Sequence, residues 1–367
     1  MRTDRQWVSK AVHRLLADQN RSADTHMILF SLPAVPGIEL YLKDESTHPS
    51  GSLKHRLARS LFLYGLCNGW INPDTSIIDS SSGSTAVSEA YFAQLLGLHY
   101  VAVIPDCTSA EKIRQIEYLG GECLRVPPLE IYSAAQDLAE ARGGYYMDQF
   151  TNAERATDWR GNNNIAESIF SQMAKEPHPE PAWVVTGAGT GGTSATIGRY
   201  VRYLETETRL CVADPDHSVF FDFYQSGAAP TVQPCASLIE GIGRPRVEPS
   251  FLPDVIDLMI HVPDAASIAA IHWLDTRLHR KLGGSSGTAF YAAILLIDEM
   301  RQTGQQGSVV SLIGDSGERY LDSYYRPEWL RDQGLELEEH LEALDLFYKT
   351  GRHPEPEAFR FAHRGYT

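Results

Sequence analysis

The chain has 367 residues, of which 43% are hydrophobic and 22% are charged, and its formal net charge is −15. This length exceeds the size at which one hydrophobic core usually stops growing, so two domains are expected. The acidic balance and the lack of a basic run argue against nucleic-acid binding. No apolar stretch is long enough to span a bilayer.

The cysteines also limit the kinds of protein that this chain can be. They are odd in number and scattered, and none is spaced as in CxxC: Cys67, Cys107, Cys123, Cys211 and Cys235. Neither a disulfide framework nor a metal site is therefore expected, and a reducing cytoplasm fits best. The first 20 residues lack the apolar centre of a signal peptide. Their apolar residues instead recur at helical spacing, which predicts a surface helix.

Strand-like and helical patterns then alternate along the chain. The segment TSIIDSSSG predicts a strand and a polar turn, and VSEAYFAQLLG a helix that ends at Gly97. Further predicted elements, in chain order, are HYVAVIP, SAEKIRQIEYLGG, ECLRVP, AWVVTGAG, SATIGRYVRYLE, RLCVADP and SVVSLIG. Alternation of this kind predicts an α/β fold with a mostly parallel sheet flanked by helices. Ligands of such sheets bind where the carboxyl ends of strands turn into helices.

The C-terminal segment differs in character from the rest of the chain. From about Pro327 onward, LELEEHLEALDLFY has helical spacing with interleaved acidic residues. The chain then ends in the polar sequence GRHPEPEAFRFAHRGYT. We predict a helix packed on the body, followed by a loose tail.

A glycine-rich loop, GAGTGGT at 187–193, follows the strand AWVVT and precedes a helix. Four glycines in six residues let backbone N–H groups approach a ligand closely, and a helix N-terminus favours an anion. Thr190 and Thr193 add hydroxyl donors. The loop lacks the Lys-Ser/Thr ending of a nucleotide-triphosphate loop and the acidic residue of a dinucleotide site. It predicts a phosphate cradle, although a glycine-rich turn without a ligand would look similar.

Three other loops carry polar groups at predicted helix starts. In PSGSLKHR, Lys54 lies where the helix dipole and burial would favour a neutral amine, the form that bonds to an aldehyde. A solvated surface lysine is the alternative. The run SSSGST at 80–85 offers hydroxyl and N–H groups to a carboxylate, as would a polar surface turn. GGSSGT at 283–288 is another possible anion loop or hydroxyl donor.

In this order, the loops resemble those of the fold type II enzymes that depend on pyridoxal 5′-phosphate (PLP), in the cysteine synthase and cystathionine β-synthase family. The similarity extends from about Asp24 to Tyr325 and includes KDESTHPSGSLKHR, SSGST, GTGGT and GGSSGT. It also includes DQFTN, EGIGRP and SLIGDSGERYL. The SSSGSTAVSEAYFA segment is most similar to the branch of cysteine desulfhydrases. The resemblance implies a fold of two lobes, each with a twisted, mostly parallel sheet flanked by helices.

The resemblance also implies roles for individual residues. Lys54 would be the catalytic residue and would hold PLP as a Schiff base. The other implied cofactor contacts are Ser84, Gly189, Thr190, Gly191, Gly192, Thr193 and Ser285, the last of which would meet the pyridine nitrogen. The implied substrate contacts are Ser81, Ser82, Thr85, Gln149 and Gly241. No metal ligand is implied.

By the same resemblance, residues 1–50 and 165–325 would form a large PLP-binding domain and 51–164 a small substrate-side domain. Residues 326–367 would form the C-terminal helix and tail. The implied assembly is a homodimer that acts on a small amino acid, without a nucleic-acid or membrane partner.

The chain departs from the family pattern at several positions. The carboxylate loop of the family usually reads SGNTG, but Ser84 stands here in place of the asparagine and has no amide donor. His55 follows the lysine, where the family often has aspartate. The segment DWRGNNN replaces a family TTGPE.

Four functions fit these residues. The first is β-elimination on L-cysteine, which gives sulfide, pyruvate and ammonia. The second is β-replacement on O-acetylserine or a related activated serine, and the third is serine or threonine dehydration. The fourth, of another class, is a PLP-fold protein that binds without turnover. The motifs do not report how well the site excludes water, so they do not separate elimination from replacement.

Overall fold

A computed structural model of the chain describes residues 2–228 and 237–363. Cys235 and residues 364–367 of the predicted tail lie outside the described residues. The chain forms two compact units. The smaller unit comprises Met1–Asp24 and His48–Asp158, and the larger unit comprises Thr25–Thr47 and Trp159–Thr367.

The smaller unit contains a four-stranded parallel sheet with helices around it. Its strands, in the order β5-β4-β3-β6 across the sheet, are β3 (Ile77–Asp79), β4 (Tyr100–Pro105), β5 (Glu122–Val126) and β6 (Tyr145–Tyr146). Its helices are α1 (Arg2–Gln19), α2 (Lys54–Cys67), α3 (Ser84–Leu96), α4 (Ala110–Tyr118), α5 (Ile131–Arg142) and α6 (Gln149–Ala156). Strand β4 is buried at five of its six positions, as expected for a central strand covered on both faces.

The larger unit contains a seven-stranded sheet, also mostly parallel. Its strands, in the order β1-β2-β10-β7-β8-β9-β11, are β1 (His26–Phe30), β2 (Ile38–Asp44), β7 (Trp183–Gly187), β8 (Arg209–Asp214), β9 (Leu258–His261), β10 (Gly307–Ile313) and β11 (Arg360–His363). Only β1 and β11, at the two edges, pair antiparallel to their neighbours. Its helices are α7 (Ile165–Met173), α8 (Gly192–Tyr203), α9 (Phe220–Ser226), α10 (Asp264–Leu278), α11 (Gly284–Thr303), α12 (Pro327–Asp332) and α13 (Glu338–Thr350).

Helix α11 is the core helix of the larger unit. Of its 20 residues 15 are buried, including Phe290, Tyr291 and Leu296. A helix that is apolar around its whole circumference is stable only inside a larger core. Among the described residues, no helix is long and apolar enough to cross a membrane.

The units differ from the predicted domain ranges at the N-terminus. Helix α1 belongs to the smaller unit because Ala11 and Leu15 are buried in the same cluster as Leu61 and Phe62 of α2. Strands β1 and β2 belong to the larger unit because β2 pairs with β10. The cofactor and substrate roles of the two domains stay predictions.

The predicted loose tail is wrong for residues 351–363. Strand β11 adds to the sheet beside β9, with Phe361 opposite Ile260. Before it, Phe359 is buried and contacts Tyr291, their ring centroids lying 5.1 Å apart. The polar composition of this segment predicted neither the buried side chain of Phe359 nor the edge strand β11.

Candidate active site

The predicted site residues fall into two groups, one in each unit. The smaller unit holds Lys54, Ser81, Ser82, Ser84, Thr85 and Gln149. The larger unit holds Gly189–Thr193, Gly241 and Ser285.

Lys54 is the first residue of α2, as its sequence position predicts. The preceding turn contains Gly51 at φ +78°, in the left-handed region that favours glycine. Lys54 is partly buried, whereas the next two residues, His55 and Arg56, are buried. Arg56 is fixed by an ion pair with Asp24, with an N–O distance of 3.0 Å. The lysine thus stands at the positive end of a helix whose first turn is held firmly.

The loop at 80–83 turns strand β3 into helix α3. Ser80 is buried, and its hydroxyl lies 2.8 Å from the Tyr146 hydroxyl. Ser81, Ser82 and Ser84 are partly exposed, so their hydroxyl and N–H groups are accessible to a ligand. This arrangement at the carboxyl end of a parallel strand suits recognition of a carboxylate.

Thr85 and Gln149 come together inside the smaller unit. The Thr85 hydroxyl donates to Gln149 Oε1 at 2.7 Å, and Gln149 Nε2 donates to Asp79 Oδ2 at 2.9 Å. Both Thr85 and Gln149 are only 3% exposed. Gln149 opens α6 after Asp148, which has φ +43° and caps the helix by accepting from the Thr151 N–H. These contacts connect Thr85, at the start of α3, with Asp79, at the end of β3. Thr85 and Gln149 therefore support the loop at 80–83 from both of its ends.

Behind this support lie two buried carboxyl groups that sequence reasoning missed. Asp79 and Glu89 are both 0% exposed, and they are near enough for their charges to repel. Burial raises the pKa of Asp79 to about 7, and burial followed by repulsion from Asp79 holds the pKa of Glu89 well above its usual range. Tyr100 donates to Glu89 at 2.9 Å. The signal available in the sequence was a glutamate within α3, which has no other charged residue.

Asp79 Oδ1 and Glu89 Oε1 have no hydrogen-bond partner in the described structure. Two neighbouring carboxylates that are both ionised are unfavourable away from water. Burial of both groups therefore favours a proton on this carboxyl pair, which lies next to Gln149.

In the larger unit, the glycine-rich loop joins β7 to α8, as predicted. Its close packing explains the glycines: a Cβ on Gly189 would lie 2.1 Å from the Gly241 carbonyl oxygen. A Cβ on Gly191, which has φ +91°, would lie 2.5 Å from Phe251 Cα. Only glycine is tolerated at these two positions.

The same loop has the donors that a phosphate requires. The first backbone bond of α8 runs from the Ala195 N–H to the Gly191 oxygen at 2.9 Å, so the N–H groups of Thr193 and Ser194 precede the helical ladder. Thr193 is partly exposed, whereas Thr190 is buried and accepts from the Gly192 N–H at 3.3 Å. A 12-residue helix beginning in this way fits a phosphate group.

The segment at 283–288 begins α11, and its hydroxyl groups divide into two kinds. Ser286 accepts from the Gly314 N–H at 3.1 Å, and Thr288 donates to Ser267 at 2.8 Å, so both serve internal packing. Ser285 is partly exposed and lies beside Gly314, where β10 ends. Of the three, Ser285 is the hydroxyl placed to meet a ligand.

Gly241 contacts the glycine-rich loop through its carbonyl oxygen, which lies over Gly189. It is exposed and has φ +87°. Its neighbour Glu240 is held by the Tyr324 hydroxyl, which accepts from the Glu240 N–H at 2.8 Å. The carbonyl oxygen of Gly241 packs against the loop at 187–193, and its predicted contact with substrate stays a prediction.

Comparisons with known proteins identify the family of this chain. The family described as "Pyridoxal-phosphate dependent enzyme" matches residues 26–315. An L-cysteine desulfhydrase of Mycobacterium tuberculosis is 59% identical, over 90% of this chain and 92% of its own length. A putative cysteine synthase of Sinorhizobium fredii is 28% identical, over 82% of this chain and 88% of its own length.

Among solved structures, an O-acetylserine dependent cystathionine β-synthase from Helicobacter pylori superimposes with a TM-score of 0.71 at 26% identity. It covers 83% of this chain, which in turn covers 97% of it. The α/β architecture, with a parallel-rich sheet in each unit, is the one shared with these proteins.

Proposed function

Because the chain belongs to the family of pyridoxal-phosphate dependent enzymes, we propose that it catalyses β-elimination on L-cysteine, giving sulfide, pyruvate and ammonia. The observation that carries this proposal is the 59% identity to an L-cysteine desulfhydrase over nearly the whole of both chains. The reaction consumes one water: the Cβ–S bond breaks, and hydrolysis of the remaining three-carbon fragment releases ammonia.

Residues of the larger unit would hold the cofactor. The N–H groups and hydroxyls of Gly189–Thr193 bind its phosphate, which the helix N-terminus favours. The Ser285 hydroxyl would bind the pyridine nitrogen. As a neutral group, it would not hold that nitrogen protonated as an aspartate would.

Residues of the smaller unit would bind the amino acid and move its proton. Ser81 and Ser82, on the support formed by Thr85 and Gln149, orient the α-carboxylate. Lys54 bonds to the cofactor at rest, and its Nζ then removes the α-proton as a general base. When bound, PLP supplies the aldehyde that captures the amino group and the ring that withdraws electrons from the α-carbon.

The decisive experiment gives the purified holoenzyme L-cysteine alone and measures sulfide and pyruvate. We expect both products in equal amounts. Lys54→Ala should lose the visible absorbance of lysine-bound cofactor and at least about 10³-fold of turnover, as expected when a proton-transferring group is removed. Lys175→Ala, at an exposed lysine, is the matched control and should leave both unchanged.

β-Replacement is the competing outcome, favoured by the similarity to a putative cysteine synthase. If cysteine gives no sulfide, but O-acetylserine and sulfide give cysteine, the elimination proposal is wrong and replacement takes its place. A serine or threonine dehydratase would release ammonia from those amino acids instead. Bound cofactor without any of these activities would indicate the binding protein.

Two properties of the whole protein belong to the same proposal. The family resemblance supports a homodimer, which light scattering of the holoenzyme would test; a monomer would contradict it. The scattered cysteines support a cytoplasmic location. Fractionation of the source cells would check it, and recovery of the protein outside the cytoplasm would overturn it.

A further inference from the structure

A chain of short contacts connects the lysine-bearing segment with the first turn of α3. His55 Nδ1 lies 3.0 Å from Ser50 Oγ, and Ser50 Oγ lies 2.8 Å from Ser88 Oγ. Ser88 Oγ in turn lies 2.8 Å from the carbonyl oxygen of Ser84. His55 and Ser50 are 5% exposed and Ser88 is 0% exposed, so water does not compete with these contacts.

The direction of these hydrogen bonds follows from counting protons. The Ser84 carbonyl oxygen can only accept a hydrogen bond, so Ser88 donates its one hydroxyl proton to that oxygen. Ser50 must then donate to Ser88, which leaves Ser50 able only to accept from His55. The Nδ1 atom of His55 therefore carries a proton. Each bond polarises the next, so the relay acts as a unit.

The other side of the His55 ring faces α1 and the aromatic side chains around it. Its Nε2 lies 4.0 Å from Asp18 Oδ2, and Asp18 Oδ1 accepts from both Tyr91 and Arg21 at 2.9 Å. The titratable groups that face the ring are Asp18 from α1, His48 from the segment before Lys54 and Tyr91 from α3. The imidazole is thus held on both edges.

We propose that this relay, His55–Ser50–Ser88, positions the start of α3 and with it Ser84 and the loop at 80–83. Ser84 is a predicted cofactor contact with a short side chain, so the position of its backbone limits where its hydroxyl can lie. The relay fixes that backbone at its carbonyl oxygen. The relay connects His55 with Ser84, and these are two of the positions at which the chain departs from the family pattern. His55, Ser50 and Ser88 are positioning residues, and the kinetic part of this inference rests on the proposed function.

The direction of donation along the relay distinguishes it from simple packing. Asparagine at position 55 can offer an amide N–H where Nδ1–H now lies, whereas aspartate of nearly the same shape offers only acceptors. With aspartate, Ser50 would turn its proton to residue 55, and its contact with Ser88 would lose its only proton. A relay predicts opposite results for these two substitutions, while packing alone predicts similar ones.

The first readout is independent of activity. In protein labelled with ¹⁵N-histidine, the His55 resonances are assigned by their loss in His55→Asn, and the ring nitrogens are examined by long-range ¹H–¹⁵N correlation. We expect a protonated Nδ1 in the folded holoenzyme. A neutral ring with its proton on Nε2 alone would overturn the relay, whatever the substrate proves to be.

The second readout is kinetic, with Ser88→Ala compared with Ser60→Ala. Both serines donate to the carbonyl four residues earlier, but Ser60 bonds only to Arg56 at 2.9 Å and lies outside the relay. Ser88→Ala should raise the KM for L-cysteine about 5- to 10-fold, the loss expected for one buried hydrogen bond, with a smaller fall in kcat. Ser60→Ala should leave both within about twofold.

The residue 55 pair completes the test. His55→Asn should keep the KM within about threefold, and His55→Asp should raise it by more than tenfold, as expected for a buried donor replaced by an acceptor. Thermal melting of each variant confirms folding. Equal effects of Asn and Asp, or of Ser88→Ala and Ser60→Ala, would refute the relay. If cysteine proves not to be the substrate, the nitrogen assignment still decides the inference, so its failure and that of the proposed function are distinguishable.

Discussion

Single residues of the phosphate loop are constrained by backbone rather than by side chains. Gly189 lies against the carbonyl oxygen of Gly241, and this oxygen cannot rotate away as the end of a flexible side chain could. Any added carbon must therefore displace the loop or the segment at 240–243. In the proposed site the N–H groups of this loop would bind the phosphate, so its displacement would disturb the cofactor directly.

We therefore expect Gly189→Ala to weaken PLP binding by about tenfold or more, corresponding to about 1.4 kcal/mol. Absorbance titration of apoprotein with PLP measures it. Gly161→Ala is the control, because its nearest added contact, with Glu167 Oε1, is an ordinary 3.9 Å. An unchanged PLP affinity in Gly189→Ala would show that the loop at 187–193 does not hold the cofactor.

At the scale of elements, β3 and α3 bring together carboxyl groups that a sequence cannot pair. Asp79 ends a strand and Glu89 lies on the second turn of a helix, and the two become neighbours only when α3 packs on the sheet. The composition of the run at 80–85 predicted a polar loop. The buried residues that support this loop could not be predicted, because Asp79, Glu89 and Gln149 come from three different elements.

This carboxyl pair makes stability depend on pH in a defined direction. The folded pKa of Asp79, about 7, lies above the value near 4 of an unfolded chain, so the folded state binds the proton more tightly. The stabilisation is complete below about pH 4 and is lost as the pH rises through 7. Over that range, its upper bound is about 4 kcal/mol.

Asp79→Asn should remove this dependence, because the amide keeps an acceptor for Gln149 and has no group that titrates in this range. The melting temperature of the wild type should fall more between pH 5 and pH 8 than that of the variant. Asp214 and Asp264, whose burial raises the pKa of each to about 7, titrate in both proteins, so the difference between the curves isolates Asp79. Parallel curves would contradict a protonated pair.

At the scale of the whole chain, the sequence predicted most elements because their patterns are local. The helix ending at Gly97 is α3, whose C-cap has φ +74°, and HYVAVIP contains β4. Pairings distant in sequence were not predictable. Helix α1 has an apolar face that does not reveal its partner, and Arg360–His363 is too short and polar to identify as an edge strand. Similarly, the sequence predicted Thr85 and Gln149 as separate substrate contacts, but it did not predict the hydrogen bond between them.

The C-terminal segment therefore offers a test of how far the larger core extends. Phe359 is 8% exposed and packs on Tyr291 of α11, the helix at the centre of that core. Phe359→Ala removes most of a buried aromatic side chain, which costs about 3 kcal/mol or more and should lower the melting temperature by several degrees. The control, Leu346→Ala, truncates a side chain of α13 that is 44% exposed, and it should change the melting temperature little. Because β11 follows Phe359 directly, its pairing with β9 should loosen in the variant, with faster hydrogen exchange at 360–363. If both variants melt like the wild type, the segment after α13 does not belong to the core, and the predicted loose tail would be correct after all.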